Sequence, residues 1–470
     1  MTQTPPAGSP PPPPPPPPPS LDAAEAADAT INQPSLTDVS IPTPPQHVIL
    51  DKSFPLGDNT YFGGQSFLGF VARNIFVNTL PVETDNARVA ELNPLVVDMT
   101  PYANEHSFDF VAVDDFSIEG SVTFGGLGTA QNFALIAGGQ FVFTPGITIE
   151  ADAHDFTLSS PAAMNFDDVT LNNNVLDINL NSGDSINFTD GSTVNAGGRF
   201  IVSAANDINF SGSTLNSVSG LFTSLSGSIA VANSTLNTSS HANFLAPTSI
   251  SLSGSTVNAN FVSLVGTGSG ATIAIDNTVI NASGEITAAS DGDINVTGTA
   301  PTPDSRSAHD VALSGSELNA DPNSGSVSLV SASGAVNISG TSITAHTLTL
   351  SSGDGILLDG SGHTVTAAGS GATANFTDSG VNANARITVN NTDFSSFATV
   401  NMAANTIVLC NDVLALVSNF GCLSGNANFG GSVVQGDVNF YHDTYNGSLL
   451  TSVQYTSGPL STPGVHVYAK

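Results

Sequence analysis

One pattern of residues recurs every 21 to 23 positions between Ser185 and Gly298 of this 470-residue chain. A typical copy opens with a segment such as SINF or DINF, continues with Ser-Thr-apolar-Asn, and ends in a looser apolar run. Repeats of roughly 20 to 50 residues are typical of solenoids, propellers and repeat arrays. The apolar anchors of the repeat, extended upstream by two Phe residues, form a predicted core column: Phe143, Phe166, Phe188, Phe210, Val231, Leu252, Ile275 and Val296.

The polarity within each copy alternates, as it does in half-buried strands. Ile208 and Phe210 share one parity and are predicted to face inward, whereas Asn209 is predicted to face outward. No copy has the apolar spacing of a helix, and propeller blades need repeats of about twice this length. Three short strands in each repeat therefore predict one coil of a parallel β-helix, with coils stacked about 4.8 Å apart.

A second column repeats with nearly the same spacing as the apolar anchors. It consists of Asn195, Asn216, Asn237, Asn258 and Asn281. Asn tolerates the left-handed backbone of a tight corner, which is where we expect this column to lie. Stacked Asn side chains can also hydrogen-bond from coil to coil. The alternative is that Asn is simply a common turn residue, but the constant offset favours a ladder.

Composition divides the chain into segments around these coils. The run Pro10 to Pro19 predicts a stiff extended spacer, and bulkier apolar segments at both ends predict caps that cover the open solenoid. The predicted segments are a disordered Pro-rich linker at 1–46, an N-terminal cap with irregular first coils at 47–106, regular coils at 107–405, and a C-terminal cap and tail at 406–470.

The repeat is disturbed after Val296, where the Pro-containing stretch 299–309 predicts a loop that leaves the sheet. Leu313 is the expected next anchor beyond it. Loops on a rigid support are common contact sites, so Arg306 and His309 are candidate contact residues. The alternative is a tolerated insertion without a ligand.

The charge balance excludes some partners. The chain has 7 Lys and Arg against 39 Asp and Glu, and a net charge of −32. This balance argues against nucleic acid, anionic membranes and anionic polysaccharides as electrostatic partners. No apolar run is long enough to predict a membrane span.

Cys410 and Cys422 are the two cysteines of the chain. An even pair in a Lys-poor, Ser/Thr-rich sequence suggests a disulfide and an oxidising compartment. The alternative is two buried thiols. The first residues, MTQTPPAGSP, lack the pattern of a signal peptide, so the export route is not visible in this chain.

The SINF, DINF, SISL and DINV segments, each followed by an STVNA-type segment, resemble the filamentous-haemagglutinin and pectin-lyase-like β-helices of bacterial surface and secreted proteins. The resemblance covers residues 107–405 and implies an all-β, right-handed parallel β-helix. It says little about function, because the same fold carries adhesins, lyases, hydrolases and stalks.

An enzyme on this fold is the main alternative, as a polysaccharide lyase or glycoside hydrolase. Paired carboxylates occur at Asp114-Asp115 and Asp167-Asp168, and Arg386-Ile387 resembles the start of a polygalacturonase-type motif that lacks its Lys here. Nine intervening coils would separate Asp167 from His363 by about 43 Å, too far to act on one bond. The sequence also has no Trp for a sugar-stacking platform.

Two minor alternatives rest on repeated polar residues. Calcium binding would use Asp-bearing turns, although Asp is also an ordinary turn former. Ice binding would use a Thr row that breaks at Val279. The Asp residues are Asp184, Asp190, Asp291, Asp293, Asp354 and Asp359, and the Thr residues are Thr193, Thr214, Thr235 and Thr256.

The sequence thus predicts an extracellular or cell-surface, structural or adhesin-like protein without a catalytic site, cofactor or metal. Its expected partners are a cell surface, a polysaccharide or a sibling protein. The sequence does not indicate an oligomeric state.

Overall fold

The computed structural model describes residues 95–100, 107–292, 294–297, 316–360, 365–367, 371–378 and 386–404, together with separate strands nearer both ends of the chain. Through this part the chain forms an all-β parallel solenoid with coils of about 22 residues, matching the predicted right-handed β-helix. Each regular coil contributes three strands, as the alternating segments predicted.

The first strands of the coils form a parallel sheet of twelve strands. They are Met164–Asp167, Ile186–Thr189, Ile208–Ser211, Ile229–Ala232, Ser249–Ser253, Thr272–Asp276, Ile294–Thr297, Val336–Ser339, Ile356–Asp359, Arg386–Asn390, Thr406–Cys410 and Ala427–Gly430.

The second and third strands stack in the same way along the two remaining sides of the coil. The second strands are Thr170–Asn173, Thr193–Ala196, Thr214–Ser217, Thr235–Thr238, Ser316–Asn319, Thr341–Thr344 and Val365–Thr366. The third strands are Asp177–Ser182, Arg199–Ala204, Ser219–Ser224, His241–Ala246, Ser326–Ser331, Thr347–Ser352, Thr373–Asp378 and Thr399–Ala404. Four long strands run through both sides: Val122–Ala137, Thr148–Ser160, Thr256–Gly266 and Val279–Ser290.

The pairing continues into both regions predicted as caps. The strands of the predicted N-terminal cap are His47–Leu50, Tyr61–Gly64, Phe67–Ala72, Asn74–Val77 and Leu95–Asp98. The strands that follow, in the segment predicted as regular coils, are Ser107–Ala112, Phe116–Ile118 and Phe141–Phe143. Tyr61–Gly64 pairs antiparallel with Phe67–Ala72, unlike the parallel coils that follow. At the C-terminal side Val417–Cys422, Asp437–His442 and Val465–Ala469 extend the third-strand stack. Capping itself stays a prediction, and the linker at 1–46 lies outside the described residues.

Aligned apolar side chains fill the interior. Register pairing joins the predicted anchors in order from Phe166 through Phe188, Phe210, Val231, Leu252 and Ile275 to Val296. The rings of Phe188 and Phe210 stack with centroids 4.6 Å apart and planes 7° apart. Phe222, from a third strand, meets Phe210 edge-on at 5.5 Å and 85°. Upstream, the ring of Phe143 stacks on that of Phe166 at 4.9 Å. Burial of these aromatic and aliphatic side chains is the main stabilising contribution of the coils.

The irregular stretch after Val296 belongs to a single coil. Ile294–Thr297 is the first strand of that coil and Ser316–Asn319 is its second strand, so residues 298–315 are inserted between them. Val296 pairs directly with Ile338 of the next coil. The prediction that Leu313 continues the column is therefore wrong, although the sequence around Leu313 resembles a first strand. The first-strand position after Val296 is already taken by Ile338. Leu313, Arg306 and His309 lie outside the described residues.

The tight corner after the first strand is occupied by a different column from the predicted one. Its residues have positive φ, which Gly, Asn and Asp tolerate best. They are Asp168 (φ 51°), Asp190 (50°), Gly212 (62°), Asn233 (49°), Gly254 (58°) and Asn277 (46°). The prediction that Asn195, Asn216 and their successors form the left-handed corner is wrong, since those residues lie inside the second strands.

A column of buried hydroxyls follows this corner. Ser234 illustrates its geometry: the backbone N–H of Ser213 donates to Ser234 Oγ at 3.1 Å, and Ser234 Oγ donates to the carbonyl of Ala232 at 2.8 Å. Each hydroxyl thereby satisfies backbone groups that the turn removes from the sheet. The column contains Ser192, Ser213, Ser234, Ser255, Thr278 and Ser316, all nearly fully buried.

No helix among the described residues has the length and apolarity needed to cross a lipid bilayer.

Candidate functional site

The predicted Asn ladder is confirmed on the outward side of the second strands. Each Asn donates an Nδ2 hydrogen to Oδ1 of the Asn one coil earlier, over distances of 2.8 to 3.0 Å. The ladder is longer than predicted, because Asn195 also donates to Asn172 and Asn319 donates to Asn281. Its residues are Asn172, Asn195, Asn216, Asn237, Asn258, Asn281 and Asn319.

The ladder uses only part of the bonding capacity of each amide. An Asn side chain carries two N–H donors and two acceptor lone pairs. Asn258 uses one donor toward Asn237 and one lone pair for Asn281. Because these side chains are only partly buried, the second donor and second lone pair can meet a ligand or water. The ladder is therefore both a structural element and a repeating row of hydrogen-bonding groups.

We expect Asn237→Ala to lower the free energy of unfolding by about 1–2 kcal/mol, because it deprives both Asn216 and Asn258 of a partner. Equilibrium denaturation in urea measures this change. Thr235→Ala, an outward-facing substitution in the same strand, is the matched control and should change stability by less than about 0.5 kcal/mol. Equal effects of the two variants would contradict a stabilising ladder.

A Thr column runs beside the ladder. Register pairing joins Thr193, Thr214, Thr235 and Thr256, and extends the predicted row upstream to Thr170 and Thr148. The row ends at Val279, which pairs with Thr256. The outward side of the second strands thus alternates Thr and Asn positions over several coils, with apolar residues facing inward between them.

An open groove of about 420 Å³ lies where the ladder side turns into the third strands. It spans four coils, and its lining residues include Thr238, Asn258, Asn260, Asn281, Ser283 and Asn319. Ser283 Oγ donates to Asn260 Oδ1 at 2.6 Å, which fixes the side chains opposite the ladder. The lining consists of Asn, Ser, Thr and Ala and carries no charged side chain.

An exposed aromatic pair stands next to this groove. Phe261 directly follows Asn260, is 38% exposed, and stacks on the ring of His241 with centroids 5.0 Å apart. Ser240 Oγ and His241 Nδ1 are 2.7 Å apart, which orients the imidazole. On the other side a Cβ at Gly284 would lie 2.6 Å from Phe261 Cε1, so the ring occupies space that only glycine leaves open. Among the described large hydrophobic side chains that are exposed, Phe261 is the aromatic one.

Sequence reasoning missed both the groove and the aromatic pair. The available signal was the third-strand column itself, in which Phe261 follows Ser219 and His241 and precedes Glu285. A large apolar residue at an outward position of a polar column is unusual unless it has a contact to make.

The predicted disulfide is not decided by the structure. Cys410 ends a strand of the twelve-stranded sheet, whereas Cys422 ends a strand of the third-strand stack. Their side chains lie outside the described part of the chain, so the bond stays a prediction.

Asp291 and Asp184 use their carboxylates within the fold, and Asp293 lies outside the described residues. The backbone N–H of Gly270 donates to Asp291 at 2.8 Å, and this bond, with further hydrogen bonds from Ser333 and Ser269, holds the pKa of Asp291 below its ordinary value. Asn206 donates to Asp184 at 2.8 Å. In the described residues no group of three or more His, Cys, Asp or Glu side chains is placed to hold a metal ion.

The carboxylate pairs raised for an enzyme also have structural contacts. Asp115 accepts from the backbone N–H of Gln140 at 3.0 Å, and Asp167 accepts from Thr189 at 3.3 Å. Eight strand steps separate the coil of Asp167 from that of Asp359. The sequence predicted nine coils, but the insertion after Val296 lengthens one coil and does not form a coil of its own. The separation is about 38 Å, still beyond the reach of one glycosidic bond. His363, the proposed partner of Asp167, lies outside the described residues.

In comparisons with known proteins, no family model, curated protein or solved structure matches this chain.

Proposed function

We propose that this chain is an extracellular or cell-surface scaffold of the structural or adhesin-like kind. The observation that carries the proposal is the repetition of the same outward polar side chains on consecutive coils, supported by a continuous apolar core. A rigid surface with a repeating set of amides and hydroxyls suits contacts spread along a face. It also supports multivalent attachment, in which many weak contacts add up.

The proposal includes a relationship between this chain and two known classes of β-helix. Coils of about 22 residues and outward Asn ladders favour a place among filamentous-haemagglutinin and pectin-lyase-like β-helices. Export from the cell and contact with a cell surface, a polysaccharide or a sibling protein follow from that placement as proposals. The strongly acidic composition, with a net charge of −32, favours neutral partners.

A polysaccharide lyase or hydrolase is the competing function on this fold. Lyase chemistry needs a base and a cationic clamp beside the scissile bond. Arg199, one of the few cations of the coils, donates from Nε to Asp177 at 2.8 Å and so is engaged in an ion pair. This arrangement favours the scaffold over the enzyme.

The experiment couples purified protein to inert beads and measures adherence to polysaccharide-coated surfaces, to cultured cells and to beads carrying the same protein. Beads carrying serum albumin are the control. Adherence to at least one surface, without release of sugar fragments from any polymer, is the expected result. Catalytic release of fragments would overturn the scaffold proposal, as would adherence no greater than that of the control beads on every surface.

A further inference from the structure

The groove beside the Asn ladder has the volume of a ligand site and a mainly polar lining. Its volume of about 420 Å³ lies within the range of roughly 300–1,000 Å³ that is common for small-molecule sites. Asn258, Asn281 and Asn319 form one wall at successive coils, and Asn260 and Ser283 form the opposite wall. A ligand in this groove would meet amide and hydroxyl groups on both sides.

The spacing of the walls is periodic. Successive ladder amides are one coil apart, about 4.8 Å, which is close to the length of one pyranose unit. Asn258 and Asn281 each retain a donor and an acceptor, and such a pair matches a sugar hydroxyl, which both donates and accepts. Asn319 donates to both Asn281 and Glu317, so it retains only acceptor capacity. A chain of linked sugars lying along the solenoid axis would therefore meet an Asn amide at each unit.

The aromatic pair supplies the apolar part of the same recognition. The exposed ring of Phe261 follows the groove residue Asn260, and His241 supports it from the preceding coil. The C–H groups of a pyranose can pack against the exposed part of this ring, which is apolar. Gly284 leaves the space in which the ring stands.

The charge of the site selects among saccharides. The lining is uncharged, and Glu285, one coil beyond Phe261 in the same column, is exposed. The net charge of −32 would repel uronate or sulfate groups. We infer that this groove, with Phe261 as its apolar contact, binds a neutral saccharide chain without cleaving it. This inference rests on the proposed adhesive function and gives it a ligand class.

The test measures binding of the full chain to four neutral hexasaccharides by isothermal titration calorimetry. The probes are linear hexamers of glucose, mannose, galactose and N-acetylglucosamine, with a galacturonate hexamer as the anionic comparison. Binding of at least one neutral hexamer with Kd below about 1 mM is expected, and the galacturonate hexamer should bind at least tenfold more weakly. Failure of all four, or preference for galacturonate, would overturn the inference.

Substitutions locate the binding. Phe261→Ser introduces a residue that the same column already contains at Ser219 and Ser326, so folding should be retained. It should weaken binding about tenfold, whereas Phe261→Tyr should bind as the parent does. Leu225→Ser, at a side chain 66% exposed in another part of the coil, is the matched control and should leave affinity unchanged. Unchanged affinity of folded Phe261→Ser would overturn the placement of the site.

A second pair of variants moves the ring without removing it. Gly284→Ala places a Cβ against Phe261 and should weaken binding at least threefold. Gly125→Ala adds the same methyl where no atom lies within 4 Å, and it should have no effect. Equal affinities of these two variants would contradict a role for the position of the ring.

The bead assay separates this inference from the proposed function. Adherence that persists in Phe261→Ser, together with absence of hexamer binding by the parent, would remove the saccharide site and leave the scaffold function standing. If the parent protein binds a neutral hexamer but does not adhere to any surface, the scaffold function would be removed and the saccharide site would stand.

Discussion

Phe210→Asp should unfold the coils around residue 210 and cost more than about 5 kcal/mol of stability. The ring is 2% exposed, stacks on Phe188 at 4.6 Å and meets Phe222 edge-on at 5.5 Å. Truncating a buried Phe costs about 3–5 kcal/mol, and an unpaired buried carboxylate adds several more. Since each coil is stabilised mainly by its neighbours, the damage should spread to the coils on both sides.

Hydrogen exchange measures the extent of that damage. Faster exchange is expected in Ile186–Thr189, Ile208–Ser211 and Ile229–Ala232, with slow exchange retained several coils away. Asn209→Asp is the matched control, because it introduces the same charge one position along the strand at a partly exposed side chain. It removes the hydrogen bond from Asn209 to Asn187 and should cost only about 1 kcal/mol. A larger loss in Asn209→Asp than in Phe210→Asp would show that the inward and outward faces are assigned wrongly.

The parts of the fold that repeat were predictable from the sequence, because one physical requirement recurs in each coil. A side chain at the anchor position must fill the same interior space, so Phe188, Phe210 and Val231 keep a nearly constant spacing. The Asn ladder was predictable for the same reason, since Asn195 and Asn216 hydrogen-bond only when their coils are in register.

The buried hydroxyl column repeats as regularly but was not predicted. Ser213 and Ser234 occupy equivalent positions, and the interpretation of Ser as a turn residue concealed that they are buried. A hydroxyl residue, Ser or Thr, that recurs at every corner is there to bond backbone groups, whereas a solvent-exposed turn would accept several residue types. The Asn ladder was assigned to the corner for a similar reason, since Asn is common in turns and its position inside a strand was not recognised.

Features that occur once could not be derived from the repeat. The insertion at 298–315 has no period, so a local resemblance placed Leu313 in a column that passes directly from Val296 to Ile338. The groove depends on a bulge in register between Ala259 and Phe261. Such deviations from periodicity are where a solenoid gains a specific site, and only the three-dimensional arrangement brings their side chains together.

Asp109 should make the stability of the chain fall as pH rises from about 4 to about 7. The side chain is 5% exposed, and desolvation by burial raises its pKa from the ordinary value of 3.8 to about 7. Its register neighbours are Gly69 and Ala134, whose side chains offer no hydrogen-bond donor to the carboxylate. The folded chain therefore keeps the proton over a pH range in which the unfolded chain has lost it.

The direction follows from that difference in proton binding. Below about pH 4 both states are protonated at Asp109 and the residue imposes no electrostatic penalty. Between about pH 4 and 7 the folded state binds more protons than the unfolded state, so raising the pH lowers the free energy of unfolding. Above about pH 7 both states are ionised, and the full penalty is roughly 4 kcal/mol, at about 1.4 kcal/mol for each tenfold change in the acidity constant.

Asp109→Asn removes the charge while retaining the shape, so it should raise stability at pH 8 by a few kcal/mol and change it little at pH 4. Urea denaturation of both proteins at pH 4, 5.5 and 8 measures the difference, in which the pH response of the other carboxylates cancels. Glu285→Gln, at an exposed position, controls for the loss of one negative charge from a chain of net charge −32. A difference between Asp109→Asn and the parent that is constant across the three pH values would show that Asp109 has the same pKa in the folded and the unfolded chain. The burial of this side chain would then not set its acidity.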